Sequence, residues 1–183
     1  LGLGRHTVLD RVDLTVQAGA ALAITGPNGA GKSTLLGLCA GMLRPSEGTV
    51  RVFGETAHQG SSRQHCVLAP RADMLPRDLT PNELLRLLGT GHLRENRSER
   101  MDAVTHTLEL GDVLTRPMGT LSMGFCARVA LACALLPQRP LLLLDEPLTA
   151  LDPKSKRVAI AAMAAERARG TTLVIATHDV SQW

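Results

Sequence analysis

Aromatic side chains are almost missing from this chain of 183 residues: there is no Tyr, one Trp and two Phe. A surface that stacks on unpaired bases needs several aromatic faces, so a single-stranded nucleic-acid platform is excluded. Charge of one sign is missing too. Twenty Lys and Arg stand against 17 Asp and Glu, a net of +3, and the basic residues are scattered. Nothing reads as a nucleic-acid surface. No apolar run reaches the ~18 residues of a membrane span and no leader-like segment opens the sequence, so a role at a membrane requires another subunit to do the spanning. The four cysteines, Cys39, Cys66, Cys126 and Cys133, fall in apolar segments without Cys-x-x-Cys spacing. Buried, reduced thiols in a cytosolic setting are expected. His58, His65 and Cys66 are near neighbours without zinc-site spacing, so no metal role is expected there. Repeats and low-complexity tracts are absent.

What the chain does have is one complete phosphate loop. Gly26, Pro27, Asn28, Gly29, Ala30, Gly31, Lys32, Ser33 and Thr34 fit the pattern of Gly, four residues, then Gly-Lys-Ser. The glycines let the backbone wrap with its N–H groups turned inward, a nest for anionic oxygens. A helix expected over residues 32–42 aims its positive end at the same place. Lys32 is placed to neutralise β- and γ-phosphate charge, and the Ser33 hydroxyl to ligate Mg²⁺. The apolar run 21–24, closed by Thr25, predicts a buried parallel strand; Leu35, Leu36, Leu38 and Cys39 follow at helical spacing. A Gly-rich turn that merely joined two elements would have no use for the Lys-Ser pair.

Elsewhere, Val12, Leu14 and Val16 alternate with polar residues and predict a half-exposed strand before a turn at Ala18-Gly19. Strands are expected over residues 49–53, 65–69, 141–144 and 171–176, and a loop over 54–64. Helices are expected over 80–88, 98–110, 124–136 and 153–169, with a break at Gly89 to Gly91. Thr80-Pro81-Asn82-Glu83 reads as a capping box with Pro at the first helical position, while Pro137 and Gly170 stop the last two helices. Alternating strands and helices predict a mostly parallel sheet with ligands at the strands' carboxyl ends.

The tetra-leucine strand delivers Asp145 and Glu146 to such an end. An Asp there can hold Mg²⁺, usually through water, and an adjacent Glu can polarise the water that attacks a γ-phosphate. Two acids after four leucines can also be a strand end made soluble. The phosphate loop upstream favours the catalytic reading.

In their order these motifs resemble those of the ATP-binding subunits of ABC transporters. After the phosphate loop, Leu121-Ser122-Met123-Gly124-Phe125 is similar to the family signature. Asp145-Glu146-Pro147 follows, then Thr149-Ala150-Leu151-Asp152 like the D-loop and Ala176-Thr177-His178-Asp179 like the switch-histidine strand. The likeness runs over essentially the whole chain. It implies an α/β fold: a P-loop NTPase core with a mostly parallel sheet over residues 1–75 and 138–183, an antiparallel β part near the N-terminus, and a helical insertion over 76–137 carrying the signature, together one ABC cassette. It implies ATP and Mg²⁺, the metal held by Ser33 and Asp145. It implies a head-to-tail dimer, homo- or heterodimeric, that sandwiches two ATP molecules. Each is held by Lys32 and its neighbours on one subunit and by Ser122 and Gly124 on the other, with Asp152 among the nucleotide-binding residues. Glu146 and His178 become catalytic, His178 against the γ-phosphate. The implied partner is a transmembrane permease subunit, with the cassette peripheral at the cytoplasmic face of the membrane and no nucleic acid bound. The alternatives are a soluble ABC-type ATPase acting on DNA or ribosomes, or a weakly hydrolysing nucleotide-binding regulator. The first usually carries coiled coils, zinc modules or tandem cassettes, and none is found in this sequence.

Three positions depart from the family pattern. Arg71 stands where Gln usually follows the strand ending near Pro70. A guanidinium offers only donors and cannot ligate a cation, so either coupling differs or Arg71 swings outward; Gln64 lies on the wrong side of the strand to substitute. Met123 and Phe125 flank Gly124 where Gly and Gln are commonest. That variant is familiar among exporter-type subunits and points to export, or to one weakened site of a heterodimer, with Phe125 in the core. Leu3 stands where an aromatic often stacks on adenine, leaving Arg5 or His6 for that task. The chain stops at Trp183, soon after His178, where many relatives continue, so a trimmed or naturally short form is expected.

Overall fold

The structure, a computed structural model, describes residues 8–59, 62–88 and 96–182. In chain order its elements are β1 (Ala21–Thr25), α1 (Lys32–Cys39), β2 (Arg51–Val52), β3 (Glu55–Thr56), β4 (Cys66–Leu68), α2 (Pro81–Leu88), α3 (Arg97–Thr107), α4 (Met123–Leu135), β5 (Leu141–Asp145), α5 (Pro153–Ala168) and β6 (Thr172–Thr177). Four strands form a parallel sheet in the order β1-β6-β5-β4, and β2 and β3 form a small antiparallel pair. All four carboxyl ends therefore open on one edge, which is where the site is built.

Period two along the central strands divides two cores between the faces of the sheet. Leu142 and Leu144 of β5, with Leu173 and Ile175 of β6, join a large cluster fed by α2 through α5. Leu141 and Leu143, with Val174 and Ala176, meet Leu36 and Ala40 from α1 and its end, and Val52 and Ala57 from the hairpin region. β5 and β6 are buried on both faces, so each leucine contributes roughly 1.5–3 kcal/mol. The larger cluster runs without a break from the helices over 81–135 into the sheet.

Several element ends follow local chemistry. The capping box holds: Glu83 N–H donates to Thr80 Oγ1 at 3.2 Å, and Thr80 N–H to Glu83 Oε2 at 2.8 Å. α1 stops at Cys39 rather than Met42 because Gly41 turns left-handed (φ 68). Met42 N–H then bonds Gly37 O at 2.9 Å, and Gly41 N–H bonds Leu38 O at 3.1 Å, closing a Schellman motif. A Cβ on Gly41 would lie 1.9 Å from Ala57 O, so only glycine fits there. Gly170 (φ 93) closes α5 in the same way.

The fold corrects four expectations. Residues 12–17 form no strand, and Val12 and Leu14 are exposed; among the described residues no strand pairs with them, and alternation alone cannot stabilise a lone strand. β1 is parallel as expected but alternates exposed and half-buried, because among the described residues it is an outer strand of the sheet. The expected loop over 54–64 contains β3, and the strand over 49–53 shrinks to β2. Cys39 and Cys66 are half-buried, whereas Cys126 and Cys133 are buried, and no disulfide joins them. The expected break at Gly89 to Gly91 and the positions Leu3, Arg5, His6 and Trp183 lie outside the described residues.

A buried ion cluster fixes α3 against α5. Glu166 is 5% exposed. Its Oε1 accepts from Arg100 Nη2 at 2.6 Å and lies 2.5 Å from Arg169 Nη2. Arg100 also donates to Leu135 O at 2.9 Å at the end of α4.

Candidate functional site

The phosphate loop leaves β1 and enters α1. Gly31 caps that helix in the left-handed region (φ 88), and a Cβ there would stand 2.8 Å from Leu9 Cδ2. Lys32 begins the helix and is 8% exposed. Its Nζ donates to Gly26 O at 2.7 Å and to Pro27 O at 3.2 Å, which points the ammonium back across the loop. The first-turn N–H groups of α1 face the same opening.

Strand register brings the acids to it. Asp145 pairs with Ala176, and Glu146 N–H donates to Ala176 O at 2.9 Å. Glu146 is left-handed (φ 49), a costly state for a residue with a Cβ. That turn brings its carboxylate back over the sheet end. Oε2 accepts from Thr149 Oγ1 at 3.1 Å and lies 2.8 Å from His178 Nδ1. An ionised carboxylate only accepts, so Nδ1 is the donor. Oε1 lies 3.8 Å from Lys32 Nζ and is buried without a hydrogen-bond partner. His178 rides on a turn held by Thr177 and Asp179, where Asp179 N–H donates to Thr177 Oγ1 at 3.2 Å.

A cavity of about 520 Å³ lies between the phosphate loop and the acids; Gly26, Pro27 and His178 are not among its lining residues. Residues 28–34 form one wall, Asp145, Glu146 and Pro147 another, and residues 69–73 a third; Met123 and Ala127 of α4 and Thr149 are among the remaining lining residues. Arg71 turns to Asp73, its Nε donating to Oδ1 at 3.0 Å and its Nη2 to Oδ2 at 2.8 Å. This fork holds the Asp73 carboxyl below its usual range. The Arg71 guanidinium is raised, chiefly by Asp73 with a smaller contribution from Asp145.

Ser122, Gly124 and Asp152 do not line this cavity. Ser122 caps α4, its Oγ accepting from Phe125 N at 3.4 Å. A Cβ on Gly124 would approach Ala150 O to 3.3 Å, which draws the 149–152 turn close to the signature. Asp152 caps α5, accepting from Lys154 N, Ser155 N and Ser155 Oγ. The Ser155 hydroxyl leads in pulling its carboxyl down to about 2. Phe125 packs against the large core with Arg128 4.2 Å above its ring. Sequence reasoning missed Asp73 and Thr149 as partners of site residues. Thr149, three positions after Glu146 beside a Pro, carried the only local signal.

A parallel sheet whose edge strand runs into a glycine nest, with Lys-Ser at the head of a helix and paired acids two strands away, defines a phosphate-loop α/β protein. The chain belongs to the ABC transporter family, whose model matches residues 9–149. It is 39% identical to the hemin import ATP-binding protein HmuV of Streptomyces coelicolor, over 98% of this chain and 66% of that protein. It is 34% identical to the Nod factor export ATP-binding protein I of Sinorhizobium fredii, over 98% of this chain and 53% of that one. The chain thus spans about one half to two thirds of the length of these relatives. Among solved structures, an ATP-binding subunit of an ABC transporter aligns with TM-score 0.89 at 28% identity, covering 98% of this chain and 77% of that one. A dimeric ATP-binding cassette in a post-hydrolysis state, bound to ADP and Pi, aligns with TM-score 0.87 at 27% identity, covering 100% and 85%.

Proposed function

We propose that the chain is the ATP-binding and hydrolysing cassette of an ABC transporter, coupling ATP-driven dimer closure to substrate translocation by a separate membrane subunit. The observation that carries this reading is the convergence of Lys32, Asp145, Glu146 and the phosphate loop on one cavity. In this reading residues 26–34 wrap the phosphates and Lys32 faces the β- and γ-phosphates. Glu146 takes the proton of the attacking water as its oxygen bonds the γ-phosphorus and the bond to ADP breaks. His178 orients the Glu146 carboxylate from 2.8 Å and meets the developing charge. Ser33 and Asp145 offer hard oxygens on one cavity, beside the unpartnered Oε1 of Glu146, a donor set that fits hydrated Mg²⁺. When bound, the ion would neutralise negative charge on the phosphates.

Ser122, Gly124 and Asp152 act on the nucleotide of a second subunit. Their position outside the cavity of their own chain supports this, as does the dimeric state of a structural neighbour. The same reading divides the cassette into a nucleotide core over 1–75 and 138–183 and a helical insertion over 76–137 carrying the signature, and sets it at the cytoplasmic face of the membrane. No helix of the described residues is long and apolar enough to cross a membrane, which supports a separate spanning subunit. Export is the direction favoured by Met123 and Phe125. Relatives named for import and for export both match, at 39% and 34% identity.

The test is an ATP titration and turnover assay on the parent and on Lys32→Ala, with and without a co-expressed membrane partner. Expected are loss of nucleotide affinity in the variant and stimulation of the parent by the partner. Unchanged affinity in the variant contradicts the assigned pose. Stimulation by DNA or ribosomes instead would move the protein to another class.

A further inference from the structure

The cavity wall carries two cations, Lys32 and Arg71, against three carboxylates, Asp73, Asp145 and Glu146. That balance is poor for a site that takes a polyanion. Lys32 is fixed in place by two backbone carbonyls. Arg71 is different: its side chain is 66% exposed, and its one fork is spent on a carboxylate that is itself 51% exposed. A pair in solvent is weakly held. Phosphate and carboxylate present the same paired oxygens to a guanidinium, and phosphate carries more charge.

Sheet order says which phosphate it would meet. The phosphate loop follows β1 at one edge, and Arg71 follows β4 at the other, with β6 and β5 between. Asp145 and Glu146 end β5, the immediate neighbour of β4. A polyphosphate that starts in the 26–34 loop and runs towards Glu146 presents its terminal phosphate to the β4 side, where residues 69–73 line the same cavity.

We infer that Arg71 is a specificity-determining cation that leaves Asp73 for the terminal phosphate of a nucleoside triphosphate and so distinguishes it from a diphosphate. The inference rests on reading the cavity as a nucleotide site. Asp73 is the competing anion that keeps the guanidinium in reserve, and its release hands the 72–74 turn, with Met74 exposed on it, a new set of forces.

Calorimetric titration with ADP and with a non-hydrolysable imido analogue of ATP, both with Mg²⁺, tests it on the parent, Arg71→Ala, Arg71→Lys, Asp73→Asn and the Arg71→Ala/Asp73→Asn double variant. Arg71→Ala is expected to weaken the triphosphate about tenfold and leave ADP within about twofold, with Arg71→Lys between. Asp73→Asn is expected to tighten the triphosphate by roughly threefold, and to do nothing once Arg71 is gone. A merely structural pair would shift both single variants the same way. Equal losses for both nucleotides, same-sign effects of the two single variants, or no effect of Arg71→Ala overturn the inference while leaving the nucleotide site intact. A parent that binds neither nucleotide overturns the site itself, and this inference with it.

Discussion

Replacing Glu146 by Gln isolates one oxygen. The substitution keeps size and shape, so the left-handed turn at φ 49 and the bond from Glu146 N to Ala176 O have no reason to change. A Gln amide oxygen can still accept from Thr149 Oγ1 and His178 Nδ1. What disappears is the negative charge, and with it the capacity of the unpartnered Oε1 to take a proton. Loss of a positioned general base costs about 10²- to 10⁴-fold in turnover, or roughly 3–5 kcal/mol of barrier. Binding should move the other way. The lost charge lies 3.8 Å from Lys32 Nζ and opposes any polyanion that approaches it. Because the Glu146 side chain is 27% exposed, water screens much of this, and affinity should hold or rise by no more than about tenfold. Steady-state phosphate release reads the first effect and calorimetric ATP titration the second. Phosphate release within about threefold of the parent, from a variant that binds ATP and melts normally, removes Glu146 as the base.

Three further outcomes follow from burial and bonding. Glu166→Ala leaves the largely buried Arg100 without its anion and should cost about 3–5 kcal/mol in denaturant unfolding, whereas half-exposed Arg169→Ala should cost under ~1 kcal/mol. Burial pushes the Cys133 thiol up to about 12, so a thiol-specific reagent at neutral pH should label half-buried Cys39 and Cys66 first and Cys133 only on unfolding; early labelling of Cys133 would contradict the packing of α4. The Asp152 carboxyl lies near 2 in the fold against an ordinary 3.8, so its stabilising effect is complete above that ordinary value and is lost as pH falls through about 2. Acid-unfolding curves of Asp152→Asn should therefore be flatter than the parent's across that interval.

The phosphate loop was legible because nine consecutive residues do one job and need no tertiary information. Asp145 and Glu146 were legible because four leucines before them announce a buried strand and its end. The half-burial of β1 was not, since edge position is a property of strand order, and its apolar run looks the same in either place. The alternation at Val12, Leu14 and Val16 misled for a related reason: a pattern records which face would be buried, and not whether a partner strand exists. Arg71 showed in the sequence as a residue out of place, and the structure supplies the reason it is tolerated. Asp73, two residues on, takes both arms of its fork at the start of a 3-10 turn.

The Glu146–His178 contact shows most plainly what only the fold can add. The two residues are 32 positions apart, and each closes a strand. β5 and β6 are parallel neighbours with Asp145 opposite Ala176, so the residues just past each strand end emerge side by side. A slip of one residue would move Asp145 off Ala176 and separate the two strand ends by one residue, about 3.3 Å. The 2.8 Å contact is thus a consequence of the β5–β6 register. Volume-conserving substitutions at Leu142 or Leu144 of β5, which face the cluster opposite α1, should therefore act on turnover through the Glu146–His178 distance before they reach nucleotide affinity.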